Sequence, residues 1–117
     1  MSRPDISMSP AEVDAFLDRC GQMVIGAIGA DGWPSGTLAA TSYEAGTLRI
    51  RFRPGDPLLA DLARDPHLCC VADEHESYFE IRGVIVLGRA TAAERIETDV
   101  DVQRIISFDF GRLSGGS

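Results

Sequence analysis

Three arginines on alternate positions, Arg49, Arg51 and Arg53, lead into Pro54-Gly55-Asp56-Pro57 and then Leu58-Leu59-Ala60-Asp61-Leu62. Leu48, Ile50 and Phe52 interleave with them, so this stretch repeats with a period of two. That period describes a strand with one buried face and one guanidinium face. Pro54 and Gly55 break it. Asp56 is placed to cap a following helix, with Pro57 at its first position. Guanidinium groups grip phosphate and carboxylate bidentately, and a helix start presents unpaired N–H groups. The stretch is therefore the candidate site for a small anionic ligand. A solvated arginine face followed by an ordinary capped turn is the competing reading, and both stay open on the residues alone.

The other reactive residue types assemble less. Cys20, Cys69 and Cys70 are odd in number, and the adjacent pair points to opposite faces of any strand. No disulfide framework is expected, and a reducing, cytoplasmic setting fits. In an apolar strand Cys69 and Cys70 act as small hydrophobes. The histidines are His67 and His75, and neither CxxC nor HxxxH spacing occurs, so no metal site is expected. His75, between Glu74 and Glu76, is a candidate general base, but a solvated loop histidine is the plainer reading. No catalytic residue is assigned. Tyr43 and Tyr78 read as barrel or interface aromatics, Trp33 as a dimer contact, and Glu80 as an ion-pair partner of a nearby arginine. The net charge of −7 argues against non-specific nucleic-acid binding. No apolar run has the length of a membrane helix, and Met1 to Pro10 lacks a signal-peptide core.

The elements that must position the arginine strand follow from the flanking pattern. The 117 residues are read as a single domain, 1–117. Residues 1–8 and the glycine-rich residues 111–117 are expected to be flexible unless a partner subunit holds them. Ser9-Pro10-Ala11-Glu12 is a capping box, which predicts a helix from Pro10 to Cys20, ended by Gly21. Met23 to Ala30 reads as a buried strand, Asp31-Gly32 as a hairpin turn and Pro34 to Tyr43 as the second strand. Glu44-Ala45-Gly46 turns into the arginine strand. The inserted helix should reach Arg64, with Leu58, Leu59 and Leu62 buried. Leu68 to Ala72 is predicted as a short strand, Asp73 to Ser77 as a polar loop, and Tyr78 to Ala92 as a long strand bent at Gly83 or Gly88. Thr98 to Val102 alternates as a strand, and Arg104 to Phe108 continues it. Six or seven hairpin-connected strands and two helices point to an antiparallel barrel or strongly curved sheet.

Five strings in order then carry a family resemblance. They are Ile25-Gly26-Ala27-Ile28-Gly29-Ala30-Asp31-Gly32-Trp33-Pro34, Gly46-Thr47-Leu48, residues Leu62 to Leu68, Tyr78 to Val84 with Gly88-Arg89-Ala90, and Ile106 to Leu113. Together they resemble the flavin-binding split-barrel family related to pyridoxamine 5′-phosphate oxidase, in particular its actinobacterial branch that includes enzymes using a deazaflavin coenzyme. The resemblance implies a mainly β fold, a six-stranded antiparallel split barrel with an N-terminal helix and one inserted helix. It implies a homodimer with ligand grooves between the subunits, holding FMN or the 5-deazaflavin coenzyme (F-420), and hydride transfer to or from a small-molecule substrate. No nucleic acid and no membrane are implied. The cofactor-binding positions carried over are Thr37, Leu38, Ala39, Arg51, Phe52, Arg53, Asp56, Pro57 and Leu58.

The chain departs from the family where the phosphate is gripped. The family pattern reads roughly Arg-Thr-x-x-x-Ser-x-Lys. Arg51 is kept, but Phe52, Asp56 and Leu58 stand at the threonine, serine and lysine positions. A carboxylate within about 4 Å of a phosphate costs on the order of several kcal/mol. A lost lysine contact removes roughly 1.5–3 kcal/mol more. Leu38 and Ala40 stand where relatives carry proline and a bulky aromatic. The run from Ala92 to Val102 is too short for both the family's additional helix and a strand. A second expectation follows from these departures: a descendant without flavin that binds an apolar or carboxylate-bearing small molecule, as a carrier or a cofactor-free enzyme. A dimeric barrel with no ligand is the third.

Overall fold

The computed structural model describes residues 5–75, 81–93 and 95–114. Its elements are α1 (Pro10–Arg19), β1 (Gln22–Ile28), β2 (Pro34–Glu44), β3 (Thr47–Arg51), α2 (Leu58–Arg64), β4 (His67–His75), β5 (Ile81–Ala90), β6 (Glu97–Asp109) and the short α3 (Gly111–Ser114). The strands close into an antiparallel barrel in the order β1-β2-β3-β6-β5-β4, with β4 pairing back onto β1. The mainly β, six-stranded split barrel with one N-terminal and one inserted helix is thus the observed architecture.

Alternation builds the barrel. Met23, Ile25 and Ala27 of β1, Leu48 and Ile50 of β3, and Val84 and Val86 of β5 all point inward and are buried. Phe16 and Leu17 of α1 and Leu58 and Leu62 of α2 join the same core. Each of these side chains larger than alanine contributes about 1.5–3 kcal/mol by leaving water. Ser9 caps α1 as its pattern predicts, with the Glu12 side chain returning to the Ser9 N–H. Ala45 (φ 52°) and Gly46 (φ 80°) form the two-residue turn between β2 and β3. Positive φ at both central positions is what a hairpin turn of this hand requires.

Several boundaries differ from the sequence expectation. Cys20 is extended, so α1 stops there, one residue short of the expected Cys20 end and without a left-handed glycine at Gly21. Asp73 and Glu74, expected in a polar loop, continue β4 and pair with Gly83 and Arg82 of β5. Glu74 is the ion-paired end of the strand: it accepts from Arg19 and lies 3.6 Å from Arg82. Tyr78 and Glu80 lie outside the described residues, as does the side chain of His75. The last strand is one continuous thirteen-residue element, Glu97–Asp109, and the connection before it contains no helix among the described residues. Residues 5–8 and 111–112 make contacts with the rest of the chain. Ile6 O accepts from the Asp109 N–H, Met8 is buried, and Arg112 pairs with Glu12.

The Glu74 cluster has a pH signature. The Arg19 guanidinium holds the Glu74 carboxyl below its ordinary value of 4.5. A depressed native value means that the stabilisation is complete above that ordinary value and is lost as pH falls through the native one. Glu74→Gln is expected to cost about 0.5–1 kcal/mol at neutral pH, as half-exposed pairs do. The difference should shrink at a second, acidic pH well below that ordinary value. Urea unfolding of both proteins at the two pH values checks it.

Candidate functional site

β3 places its arginines on the outer face, but the three are not equivalent. Arg49 Nε donates to Asp99 Oδ1 of β6 at 2.7 Å, and Glu97 lies 3.8 Å away. The Arg49 guanidinium holds the Asp99 carboxyl below the usual range. Arg49 is therefore committed to the β3–β6 pair. Arg51 and Arg53 are exposed and make no ion pair among the described residues. Arg51 sits beside Ala40 of β2 in register. Arg53 follows β3 and starts a tight turn in which the Asp56 N–H donates to the Arg53 carbonyl at 3.1 Å, with Gly55 at φ +79°. Proline then glycine at the two central positions is the chemistry such a turn needs.

Asp56 turns back from this loop. Its Oδ1 accepts the Leu58 N–H at 2.9 Å and its Oδ2 accepts the Thr37 hydroxyl at 2.9 Å. The Leu59 N–H donates to the Asp56 carbonyl. Pro57 already has helical dihedrals, although the regular helix begins at Leu58. Asp56 thus caps the helix as expected, and in doing so it occupies the helix start. The N–H groups that the sequence reading offered to an anion belong to Asp56 itself.

Between this loop and the start of β2 lies a cleft of about 470 Å³. Thr37, Leu38, Arg53, Asp56 and Pro57 line it, as do Ser35 and Asp61. Asp61 Oδ2 accepts the Ser35 hydroxyl at 2.8 Å, and Asp61 Oδ1 lies 3.2 Å from Arg64. Neither Ser35 nor Asp61 was a sequence-predicted site residue. Their one signal is that Ser35 and Thr37 share a face of β2, which becomes informative only once the strand is laid against α2. Three other predicted residues turn their side chains away. Ala39, Phe52 and Leu58 are buried in the barrel core. Leu58 borders the cleft only at its edge, and Phe52 offers its backbone N–H to Ile96 O at 2.6 Å. For Phe52 the cause is the same alternation that sends Arg51 and Arg53 outward.

The outer surface carries a second feature that the sequence reading did not identify. Leu38 (56% exposed) pairs with Val24 (49%), Val24 with Val71, Val71 with Ile85, and Ile85 with Ile106. These five residues form one cross-strand row over β2, β1, β4, β5 and β6. Trp33, 73% exposed, stands at the end of the β1–β2 hairpin. Isolated exposed aliphatics are ordinary, but a continuous row marks a contact surface. Leu38 belongs both to this row and to the cleft.

The donor set can be matched to a flavin-type cofactor. An apolar wall at Leu38 and Ala40, with guanidinium groups at Arg51 and Arg53 that make no ion pair among the described residues, fits a ring carrying an anionic group on the β3 side. The cleft behind Arg53 does not fit a phosphomonoester, because the Asp56 carboxylate has taken the hydroxyl and N–H donors such a group would use. Cys70 is no nucleophile: burial pushes its thiol up to about 12. Among the described residues no cluster of metal-ligating side chains forms, and no helix is long and apolar enough to cross a membrane.

No protein-family model matches the chain, and no curated protein does. Solved structures do. A conserved hypothetical protein from Mycobacterium tuberculosis superposes with a TM-score of 0.83 at 20% identity, covering 97% of this chain and 92% of that one. A FAD-binding protein from Mycobacterium smegmatis gives 0.71 at 19% identity, over 87% of this chain and 94% of the other. An F-420 reductase gives 0.62 at 12% identity, over 80% and 94%. Barrel order, inserted helix and these superpositions agree: the chain has the split-barrel fold of the flavin-binding and pyridoxamine 5′-phosphate oxidase-like proteins.

Proposed function

We propose that the chain is a homodimeric oxidoreductase that binds a flavin-type cofactor, FMN or the 5-deazaflavin coenzyme, in grooves between its subunits. The observation that carries this reading is the pair of unengaged guanidinium groups, Arg51 and Arg53, beside the apolar row at Leu38. A second copy of the chain covers the row and turns the β2–β3 surface into a groove. When bound, the cofactor supplies hydride transfer to or from a small molecule. The chain's own work is to bind and orient. Arg51 and Arg53 hold the anionic part, Leu38 and Ala40 give the ring a wall, and the partner subunit excludes water. The three free thiols suit a reducing, cytoplasmic setting. Titration with FMN and, separately, with the deazaflavin coenzyme tests the reading through fluorescence quenching. Saturable binding of one of them at micromolar concentration is expected, weakened about tenfold by Arg51→Ala, as the loss of one charge-assisted contact implies.

A second reading has one observation of its own. The Asp56–Thr37 and Asp56–Leu58 hydrogen bonds fill the place of a phosphate. This favours a barrel that has given up flavin for an apolar or carboxylate-bearing small molecule held by the same arginines. Failure of both titrations, with a metabolite that raises the melting temperature, would select it.

A further inference from the structure

We propose that Asp56 is a charge filter, which keeps a phosphomonoester out of the cleft and admits an uncharged, hydroxyl-bearing end of the ligand. This rests on the proposed flavin-type binding and narrows its ligand class. Four observations carry it. The Asp56 carboxylate lines the cleft and makes no ion pair among the described residues, so its charge is uncompensated by a fixed partner. Both of its oxygens are fixed, one by the Leu58 N–H and one by the Thr37 hydroxyl, each at 2.9 Å, so it cannot swing out of the way without breaking the cap. The Thr37 and Ser35 hydroxyls already donate to Asp56 and Asp61 and have no proton left for an incoming anion. Asp61 is matched by Arg64, which leaves Arg53 as the cleft's unmatched cation against Asp56.

A dianion entering this space meets one guanidinium and one carboxylate held by two hydrogen bonds. Ligand hydroxyls meet acceptors instead, since each carboxylate oxygen has lone pairs beyond the one its partner uses. Arg51, on the strand face and outside the cleft lining, remains the place for an anion that stays outside the cleft. A flavin with its phosphate removed, or one whose charged group lies further along the tail, is therefore the better occupant.

The test compares riboflavin with FMN on the full chain by fluorescence quenching, for the natural protein, Asp56→Asn and Asp56→Ser. Asparagine keeps an acceptor for the Leu58 N–H and serine is a common cap, so folding is checked for each by its melting temperature. The natural protein should bind FMN less than about tenfold more tightly than riboflavin, because Asp56 offsets what the strand-face arginine gains from the phosphate. Either substitution should tighten FMN by about tenfold or more while riboflavin stays within about twofold, since the removed repulsion acts on the phosphate alone. If the natural protein binds FMN tenfold better than riboflavin and the substitutions leave that ratio unchanged, the filter is wrong while flavin binding stands. If neither flavin binds to any of the three folded proteins, both the filter and the flavin reading are overturned.

Discussion

Gly88→Ala is expected to lower stability by about 3 kcal/mol, at the upper end of what overpacking costs. A Cβ at this position would lie 2.3 Å from the Asp101 carbonyl oxygen and 3.0 Å from Val100 Cγ1. The obstacle at 2.3 Å is backbone in the neighbouring strand, which cannot rotate aside as a side chain can. Gly88 also sits where the β5–β6 register shifts: Leu87 faces Arg104, yet Gly88 faces Val102. Gln103 is the extra residue of a bulge, and the ladder closes over the glycine there. To admit a methyl group, β6 must move away from β5, and the barrel opens along one of its two longest pairings. At a typical total of about 5–15 kcal/mol, such a loss is large. Gly21→Ala provides the control. Nothing lies within 4 Å of a Cβ at Gly21, so the change should stay within about 0.5 kcal/mol. Urea midpoints of the two variants decide the matter, and equal midpoints would refute the packing argument.

Val71→Glu should separate the proposed dimer. Val71 stands in the middle of the exposed row, between Val24 and Ile85. On the free subunit a glutamate there is solvated and costs little. Buried against a second copy, it would face Val24, Leu38 and their symmetry mates with no cation of the row to meet it. An unpaired carboxylate in such a place costs several kcal/mol. A dissociation constant raised at least about a hundredfold corresponds to roughly 2.7 kcal/mol. The melting curve of the subunit should change little, which distinguishes loss of the interface from loss of the fold.

The sequence reveals what depends on local pattern. The capping box at Ser9, the Ala45-Gly46 turn, the arginine strand and the Asp56 cap each rest on neighbours within a few residues, and each is where its pattern places it. The period of two carried the barrel strands. It shows β6 in two pieces, Thr98 to Val102 and its continuation from Arg104, because the bulge at Gln103 changes the parity: Val100 and Val102 stand opposite Ala90 and Gly88, whereas Ile105 and Ser107 stand opposite Val86 and Val84. Two phases read as two weak segments when only the chain is in view. Glu74 looked like loop because its charge is matched across space, by Arg19 and Arg82, while Asp73 is held in the strand by its pairing with Gly83.

The residues alone pointed to the stretch from β3 to the start of α2, and the resemblance added Thr37 and Leu38 of β2. Arg51 and Arg53 are outward by alternation, and the same rule places Phe52 inside, so a residue-by-residue transfer of a family motif could not hold at that position. Ser35 and Asp61 are 26 residues apart and meet only because α2 packs on the start of β2. The apolar row was hidden for a similar reason. Each of its members is one aliphatic in a strand of aliphatics, and only the register of five strands sets them side by side.

Sedimentation of the protein with bound cofactor, followed at the cofactor's own absorbance band, joins the proposed dimer to the proposed site in a single measurement. The cofactor band should move with the dimer of the natural protein and stay unsedimented beside folded Val71→Glu monomer. A folded monomer that carries the cofactor along would contradict a groove built between subunits.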